Sequence, residues 1–283
     1  MASNHRAIAP NHVAVITGAA DGIGRAAAER FARLGMHVLM ADIEEAKLAE
    51  AQEGALGACI DGEQRILCRA VDVSDFGAVS ALKDQAYAAF GHVDVLMNNA
   101  GTSGKTSGFD HLDQWRRIIG VNLWGVVHGM QAFAQAMIDQ STPAVIINTG
   151  SKQGITNPPG NPAYNVSKSG VRTATEALQH ELRNIAGCQV SAHLLVPGFT
   201  YTGLIRRHVS ERPAGAWLPE EVIDYLLDAL ARDSFYIICP DNEVSSHEDR
   251  RRVLWGAGDI AEDRPPLSRW HADYGEAYSR FVG

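Results

Sequence analysis

Seven short apolar runs, alternating with six stretches of helical spacing, constrain this chain more than any other feature. The runs cover residues 12–17, 37–41, 65–71, 93–97, 145–148, 190–196 and 235–239. The helical stretches cover 23–34, 44–54, 76–90, 112–140, 163–185 and 219–232. In the first of these, Ile23, Ala27, Phe31 and Leu34 recur on one face and Gly35 stops it; in the last, Pro219 stands in the first turn. Strand runs that are apolar without a break, not alternating, suit strands covered on both faces. Strand and helix in alternation predict a parallel sheet with helices on each side. Hydrophobic residues make up 46% and charged residues 20% of the chain, enough for a large core. No repeat, low-complexity tract or linker divides the 283 residues, a normal length for one α/β domain. The expectation is one domain over 1–283, with a core at about 12–239.

The extension at 240–283 reads differently. It carries Glu248-Asp-Arg-Arg-Arg252, then Trp255, Trp270, Tyr274, Tyr278 and Phe281. Exposed aromatics are unfavourable, so the extension is expected to cover something: its own subunit, a neighbour, or the active site. A net charge of −8 argues against a nucleic-acid surface. Cys59, Cys68, Cys188 and Cys239 are widely spaced, with no Cys-x-x-Cys and no Cys/His cluster. That predicts reduced thiols and no metal site. Met1 to Pro10 lacks an apolar signal core, and no run approaches membrane-span length. A soluble, cytoplasmic protein is expected.

Thr17-Gly-Ala-Ala-Asp-Gly-Ile-Gly24 joins the first strand to the first helix. Gly18 permits a tight turn, and Gly22 and Gly24 let backbone approach a pyrophosphate at the helix N-terminus, beside Asp21 and Ile23. The same glycines also fit a plain tight turn. Asp42 ends the second strand, 18 residues past Gly24 (42 − 24 = 18). An acidic residue at this distance suits an adenosine ribose and repels a 2′-phosphate. It suits a helix N-cap equally. With Asp21 it favours NAD over NADP, on a doubly wound Rossmann domain.

Tyr164 and Lys168 lie four apart, on one helix face, and Ser151 lies 13 residues upstream of the tyrosine (164 − 151 = 13). A phenol titrates near ~10, and a fixed ammonium beside it would lower that value and make Tyr164 a proton donor or acceptor. Ser151 would hold a substrate oxygen. An exposed Tyr/Lys pair and a strand-end hydroxyl are the plainer alternatives.

Thr17-Gly-x-x-x-Gly-x-Gly24, Asn98-Asn-Ala-Gly101, Asn122, Ser151, Tyr164-x-x-x-Lys168 and Pro197-Gly198 occur in that order. Together they resemble the short-chain dehydrogenase/reductase family, over about residues 12–239. The resemblance implies an NAD-dependent alcohol dehydrogenase or ketone reductase with Asn122, Ser151, Tyr164 and Lys168 as its catalytic set. Asn122 would hold a water near Lys168; its plainer role is local hydrogen bonding. Asp72 and Val73 would contact adenine, and Asn99, Ala100 and Gly101 would line the cofactor channel. Pro197, Gly198 and one of Thr200 and Thr202 would hold the nicotinamide, with Thr202 the better match by spacing. Substrate contacts are expected from Ser151, Gln153, Tyr164, Phe199 and Tyr201, with Gly104, Lys105, Pro158, Asn161 and Leu204 as further lining. This mixture suggests a moderately apolar secondary alcohol, cyclic or aromatic. An NADP(H)-dependent ketone reductase and a non-catalytic nucleotide sensor are the alternatives. The resemblance further implies a homo-oligomer, tetramer or dimer, paired through helices 112–140 and 163–185, where Leu123, Trp124, Val126, Val127 and Phe133 fall outside one stripe.

Overall fold

The computed structural model describes residues 5–207, 209 and 211–283. Its strands are β1 (Val13–Thr17), β2 (His37–Asp42), β3 (Ile66–Ala70), β4 (Val95–Asn98), β5 (Ala144–Thr149), β6 (Val190–Val196) and β7 (Tyr236–Ile238). They form one sheet in the order β3-β2-β1-β4-β5-β6-β7. Every pairing is parallel, where the sequence predicts a mostly parallel sheet.

Successive strand residues point to opposite faces, so each run feeds two cores. Ala14 and Ile16 enter one, and Val15 the other; Val38 and Met40 oppose Leu39 and Ala41 in the same way. The first core is closed by α1 (Gly22–Arg33), α2 (Glu45–Gly57) and α9 (Pro219–Ala231), through Phe31, Leu48 and Leu226. The second is closed by α3 (Phe76–Phe90), α5 (Gly125–Asp139) and α7 (Pro162–Arg183), through Leu82, Phe133 and Val171. A buried side chain such as Phe133 contributes about 1.5–3 kcal/mol by leaving water. Helices on both faces explain why the strand runs are apolar without alternation.

The stretch 112–140 is not one α-helix. It divides into α4 (Leu112–Ile119), a π-helical turn (Gly120–Trp124) and α5. Gly125 N donates to Gly120 O, an i→i+5 bond. Val126 and Phe133 face the sheet, whereas Trp124 is 53% exposed.

Short helices α6 (Gln153–Thr156) and α8 (Gly203–Arg206) carry no periodic signal and escape sequence reading. So do α10 (Ser246–Ala261) and α11 (Gly275–Val282) in the extension. Ser245 caps α10 by accepting from Glu248 N at 3.2 Å. Trp255, 6% exposed, donates to Ser268 Oγ at 2.7 Å. It meets Tyr278 and Phe281 with ring centroids 5.4 and 5.3 Å away. Arg264 lies 4.2 Å from the Trp255 ring centroid. Of the three places open to these aromatics, they pack within the extension itself. No helix among the described residues is long and apolar enough to cross a membrane.

Candidate active site

The strand order reverses between β1 and β4, and open α/β sheets offer a crevice at such a point, outside the carboxyl ends of the strands. There a cleft of about 940 Å³ runs from Gly18, Asp42 and Val73 to Ser151, Tyr164 and Leu204.

The β1–α1 turn is shaped by contacts to backbone. Gly18 has φ +67°, and a Cβ there would lie 2.7 Å from Ala100 Cα. A Cβ on Gly24 would lie 2.1 Å from Gly18 O. A side chain at Gly24 would therefore break the turn itself. Thr17 Oγ1 accepts from Asn99 N at 3.0 Å and Ala100 N at 3.2 Å. Asn99 Nδ2 donates to Thr17 O and Gly18 O at 3.2 and 3.3 Å. Asn99 thus braces the glycine turn, while Ala100 and Gly101 line the cleft.

Asp42 lines the cleft and accepts from Ala20 N at 3.1 Å and Glu44 N at 3.0 Å. It ties the glycine turn to the start of α2, although the helix-capping position itself falls to Glu44. Asp21 caps α1, accepting from Gly22 N at 2.6 Å, and pairs with Arg206. That partner compensates its charge, so Asp21 speaks less for NAD than its sequence position implies. Asp72 and Val73 line the far end, with Asp72 accepting from Ser74 N at 2.9 Å. The first turn of α1 with Gly22, Ile23 and Gly24, the Gly18 cradle and the Asp42 carboxylate fit a dinucleotide.

At the other end, β5 delivers Ser151 and α7 delivers Tyr164 and Lys168 to one spot. Lys168 is buried and donates from Nζ to Thr149 O at 2.7 Å. It lies 5.9 Å from the Tyr164 ring centroid. Burial pushes the lysine down to about 8. Tyr164 keeps part of its surface open to the cleft, yet desolvation pushes its phenol up, and a hydrogen bond with Ser151 pulls only partly against it. The sequence expectation of a lowered phenol is thus reversed in the free protein. Lys168 bonds the backbone, and the water removed from both groups outweighs their proximity.

Asn122 sits in the π turn, fully buried. Its Oδ1 accepts from Thr102 N at 2.7 Å; its Nδ2 donates to Thr102 O at 2.9 Å and Ser167 Oγ at 3.1 Å. Its side chain therefore fastens the β4 loop to α7, through partners far from its own helical turn and not by the local bonding that is its plainer role in the sequence. A Cβ built on Gly101 lies 3.6 Å from Asn122 Oδ1 and 3.8 Å from Lys168 Nζ, which places the amide beside the lysine.

Pro197, Gly198, Thr200 and Thr202 all line the cleft. Thr200 is buried, and its hydroxyl donates to Gly198 O at 3.2 Å. The side chain of Thr202 faces Gly22, where a Cβ would come within 2.9 Å. Gln153, Phe199 and Leu204 line the wall as expected from sequence, but Tyr201, Gly104, Lys105, Pro158 and Asn161 are not among the lining residues. Tyr201 N donates to Trp217 O at 2.8 Å and its ring meets Arg206, which turns it aside. Asn161 is used by Thr106 Oγ1 and Ser103 Oγ. Lys152, Arg117 and Arg207 also line the cleft, and no motif or spacing signals them.

Among the described residues, His5, His193 and Asp233 form the one group with metal-ligating composition. His5 Nδ1 accepts from Ala7 N, and the His193 ring nitrogens engage Ser234 O and Ser191 Oγ.

Residues 12–213 match the family model described as short chain dehydrogenase. The chain belongs to the short-chain dehydrogenase/reductase family of oxidoreductases. A curated relative, 1-deoxy-11-beta-hydroxypentalenate dehydrogenase of Streptomyces exfoliatus, is 30% identical over 92% of this chain and 94% of its own length. Among solved structures, a family member from Burkholderia phymatum in complex with NAD is 33% identical, with TM-score 0.81, covering 92% of this chain and 97% of its own. A metagenomic oxidoreductase in complex with NADP is 29% identical, with TM-score 0.67, covering 82% and 97%.

Proposed function

We propose that this protein is an NAD-dependent dehydrogenase/reductase interconverting a moderately apolar, cyclic or aromatic secondary alcohol and its ketone. The observation that carries this reading is the convergence of Ser151, Tyr164 and Lys168 at one end of a cleft whose other end is the glycine turn with Asp42. Ser151 holds the substrate oxygen and steadies the charge that develops on it. In alcohol oxidation Tyr164 accepts the hydroxyl proton; in ketone reduction its phenol donates one to the carbonyl oxygen. When bound, the nicotinamide ring accepts or supplies the hydride at the carbinol carbon. Lys168 places a positive charge beside the phenol and stabilises its ionised form. Asn122 keeps the Thr102 loop and α7 in register around that pair. Phe199, Leu204 and Ile205 give the substrate an apolar wall.

NADP is the second reading, and one observation favours it. Arg207 lies on the cleft, 3.8 Å from Glu44, two residues beyond Asp42, within reach of a 2′-phosphate. Four free, widely spaced thiols support a cytoplasmic location. Exposed Trp124 and Val166, on the α5 and α7 side, support a homo-oligomer.

The test is turnover of NAD and NADP with secondary alcohols from small aliphatic to aryl and steroidal, followed by near-ultraviolet absorbance. NAD turnover with a size preference is expected, together with a 10²- to 10⁴-fold loss, roughly the reach of general acid–base catalysis, in Tyr164→Phe. Cofactor binding without turnover of any alcohol or ketone, or a Tyr164→Phe protein of ordinary rate, sinks the proposal.

A further inference from the structure

Lys152 directly follows Ser151, and its ammonium joins three separate parts of the chain. Its Nζ lies 3.1 Å from Asp241 Oδ2 and 2.7 Å from Asp249 Oδ2. The three side chains are 14%, 5% and 3% exposed, so the cluster is largely shielded from water. Asp241 follows β7, whereas Asp249 stands in the first turn of α10, in the C-terminal extension. α10 also packs against α6, the helix that starts right after Lys152.

The cluster reaches the cleft by short routes. Asp241 Oδ2 accepts from Phe199 N at 3.2 Å, and Oδ1 from Glu243 N and Val244 N at 3.1 and 2.8 Å. A Cβ on Gly198 would lie 2.8 Å from Asp241 Oδ2. On the other side, Gln153 N donates to Ser151 Oγ at 3.2 Å, so Ser151, Lys152 and Gln153 form one turn. Burial pushes the Asp241 carboxyl up, but Lys152 and the Phe199 N–H outweigh it and hold the group below its ordinary range. Two carboxylates share one ammonium here. Removing Lys152 leaves two buried carboxylates without compensation, and the turn must move to rehydrate them; removing the Asp249 charge keeps the Lys152–Asp241 pair but cuts its tie to the extension.

We propose that Lys152, Asp241 and Asp249 form a positioning knot that sets the Ser151 hydroxyl and the Phe199 wall, so that the C-terminal extension takes part in building the active site. This rests on the reading of Ser151 and Tyr164 given above. Lys152 is a positioning residue and touches no reacting atom. The knot ties an extension whose aromatics pack within it to catalysis: it contributes one carboxylate at the back of the Ser151 turn.

The test uses full-length Lys152→Met and Asp249→Asn, with the secondary alcohol and nicotinamide cofactor that the wild type turns over fastest, and that alcohol deuterated at its carbinol carbon. Misplacing a polarising hydroxyl by a fraction of an ångström lowers kcat by roughly 10- to 100-fold. The expected result is that loss together with a raised KM for the alcohol, a larger primary isotope effect on kcat, and cofactor affinity within about twofold of wild type. Hydrogen exchange should quicken in 246–261 and in 151–157 alike. Asp249→Asn keeps the size of the side chain and serves if Lys152→Met does not fold. Wild-type kinetics in Asp249→Asn overturns the inference. So does a lower kcat at unchanged KM and unchanged isotope effect, which reports only fewer folded molecules. Should the wild type turn over nothing, the reading of the site falls, and exchange alone decides the knot: quickening confined to 246–261 refutes it.

Discussion

Lys168 carries an electrostatic burden in the free protein, and replacing it gives a measurable signature. Burial lowers its ammonium from 10.5 to about 8. At about 1.36 kcal/mol per unit, charging it in the folded state costs about 3 kcal/mol. Below pH 8 both folded and unfolded lysines bind the proton, and the full cost is present. Between pH 8 and 10.5 the unfolded chain binds more protons, so stability rises with pH. By pH 9.5 only about 1 kcal/mol of that cost remains, a relief of about 2 kcal/mol relative to pH 7. Lys168→Met removes the burden but strands Thr149 O, its acceptor at 2.7 Å, for a loss of about 1–2 kcal/mol. Urea unfolding without cofactor should find Lys168→Met more stable than wild type by about 1–2 kcal/mol at pH 7, with the advantage gone by pH 9.5. Tyr164, whose phenol burial pushes up, enters with the opposite sign. Its contribution is present below about 10 and lost above, which leaves this window nearly clear. A variant less stable than wild type at pH 7, or a gap that does not change with pH, refutes the reasoning.

Asp42→Ala removes the acceptor of two backbone N–H groups and a negative charge from the cleft. Cofactor titration should show NAD affinity falling about 10-fold, with NADP gaining relative to NAD, since hydrogen bonds to charged groups are worth about 1.5–3 kcal/mol; an unchanged preference assigns Asp42 to the turn alone. Trp255→Ala empties the centre of the extension and should lower unfolding free energy by about 3–5 kcal/mol, or release the extension to proteolysis ahead of the core. Light scattering should find the wild type oligomeric and Trp124→Glu, on an exposed face beside His128 and Phe76, smaller; a monomeric wild type removes that reading.

The residues that sequence reads well are those whose signal is local. Val190–Val196 and Phe76–Phe90 have the predicted bounds because an unbroken apolar run and a capped periodic stretch each suffice to define an element. Asp75, which accepts from Gly77 N at 2.8 Å, marks the start of the second. Helices of four residues, such as α6 and α8, are too short for a period to show. The π turn hides because its flanks are both helical, and nothing in Gly120–Trp124 alone announces an extra residue. The site shows the same division. Tyr164 and Lys168 are legible because four residues make a helical turn, and Ser151 because it follows the fifth apolar run. The protonation of Tyr164 is not, because it depends on depth in the cleft. Lys152 is invisible as well, since its partners lie 89 and 97 positions away (241 − 152 and 249 − 152). Tyr201 stands outside the lining of the cleft, next to an isolated bridge between Thr200 and Trp217 that joins residues 17 apart.

The π turn at Gly120–Trp124 amounts to one surplus residue inserted into an otherwise ordinary helix. A surplus residue rotates everything beyond it by about 100° relative to an uninterrupted α-helix. That rotation lets Asn122 point inward while α4 and α5 each keep their own contacts. Length at this point is therefore as much a part of the site as identity. A chain that lost Val121 or Leu123 would gain a more regular helix and a stronger hydrogen-bond ladder. It would also swing either the sheet-facing side of α5 or the amide of Asn122 out of place. Insertions and deletions here are filtered by geometry even where every substitution of the same residues is tolerated.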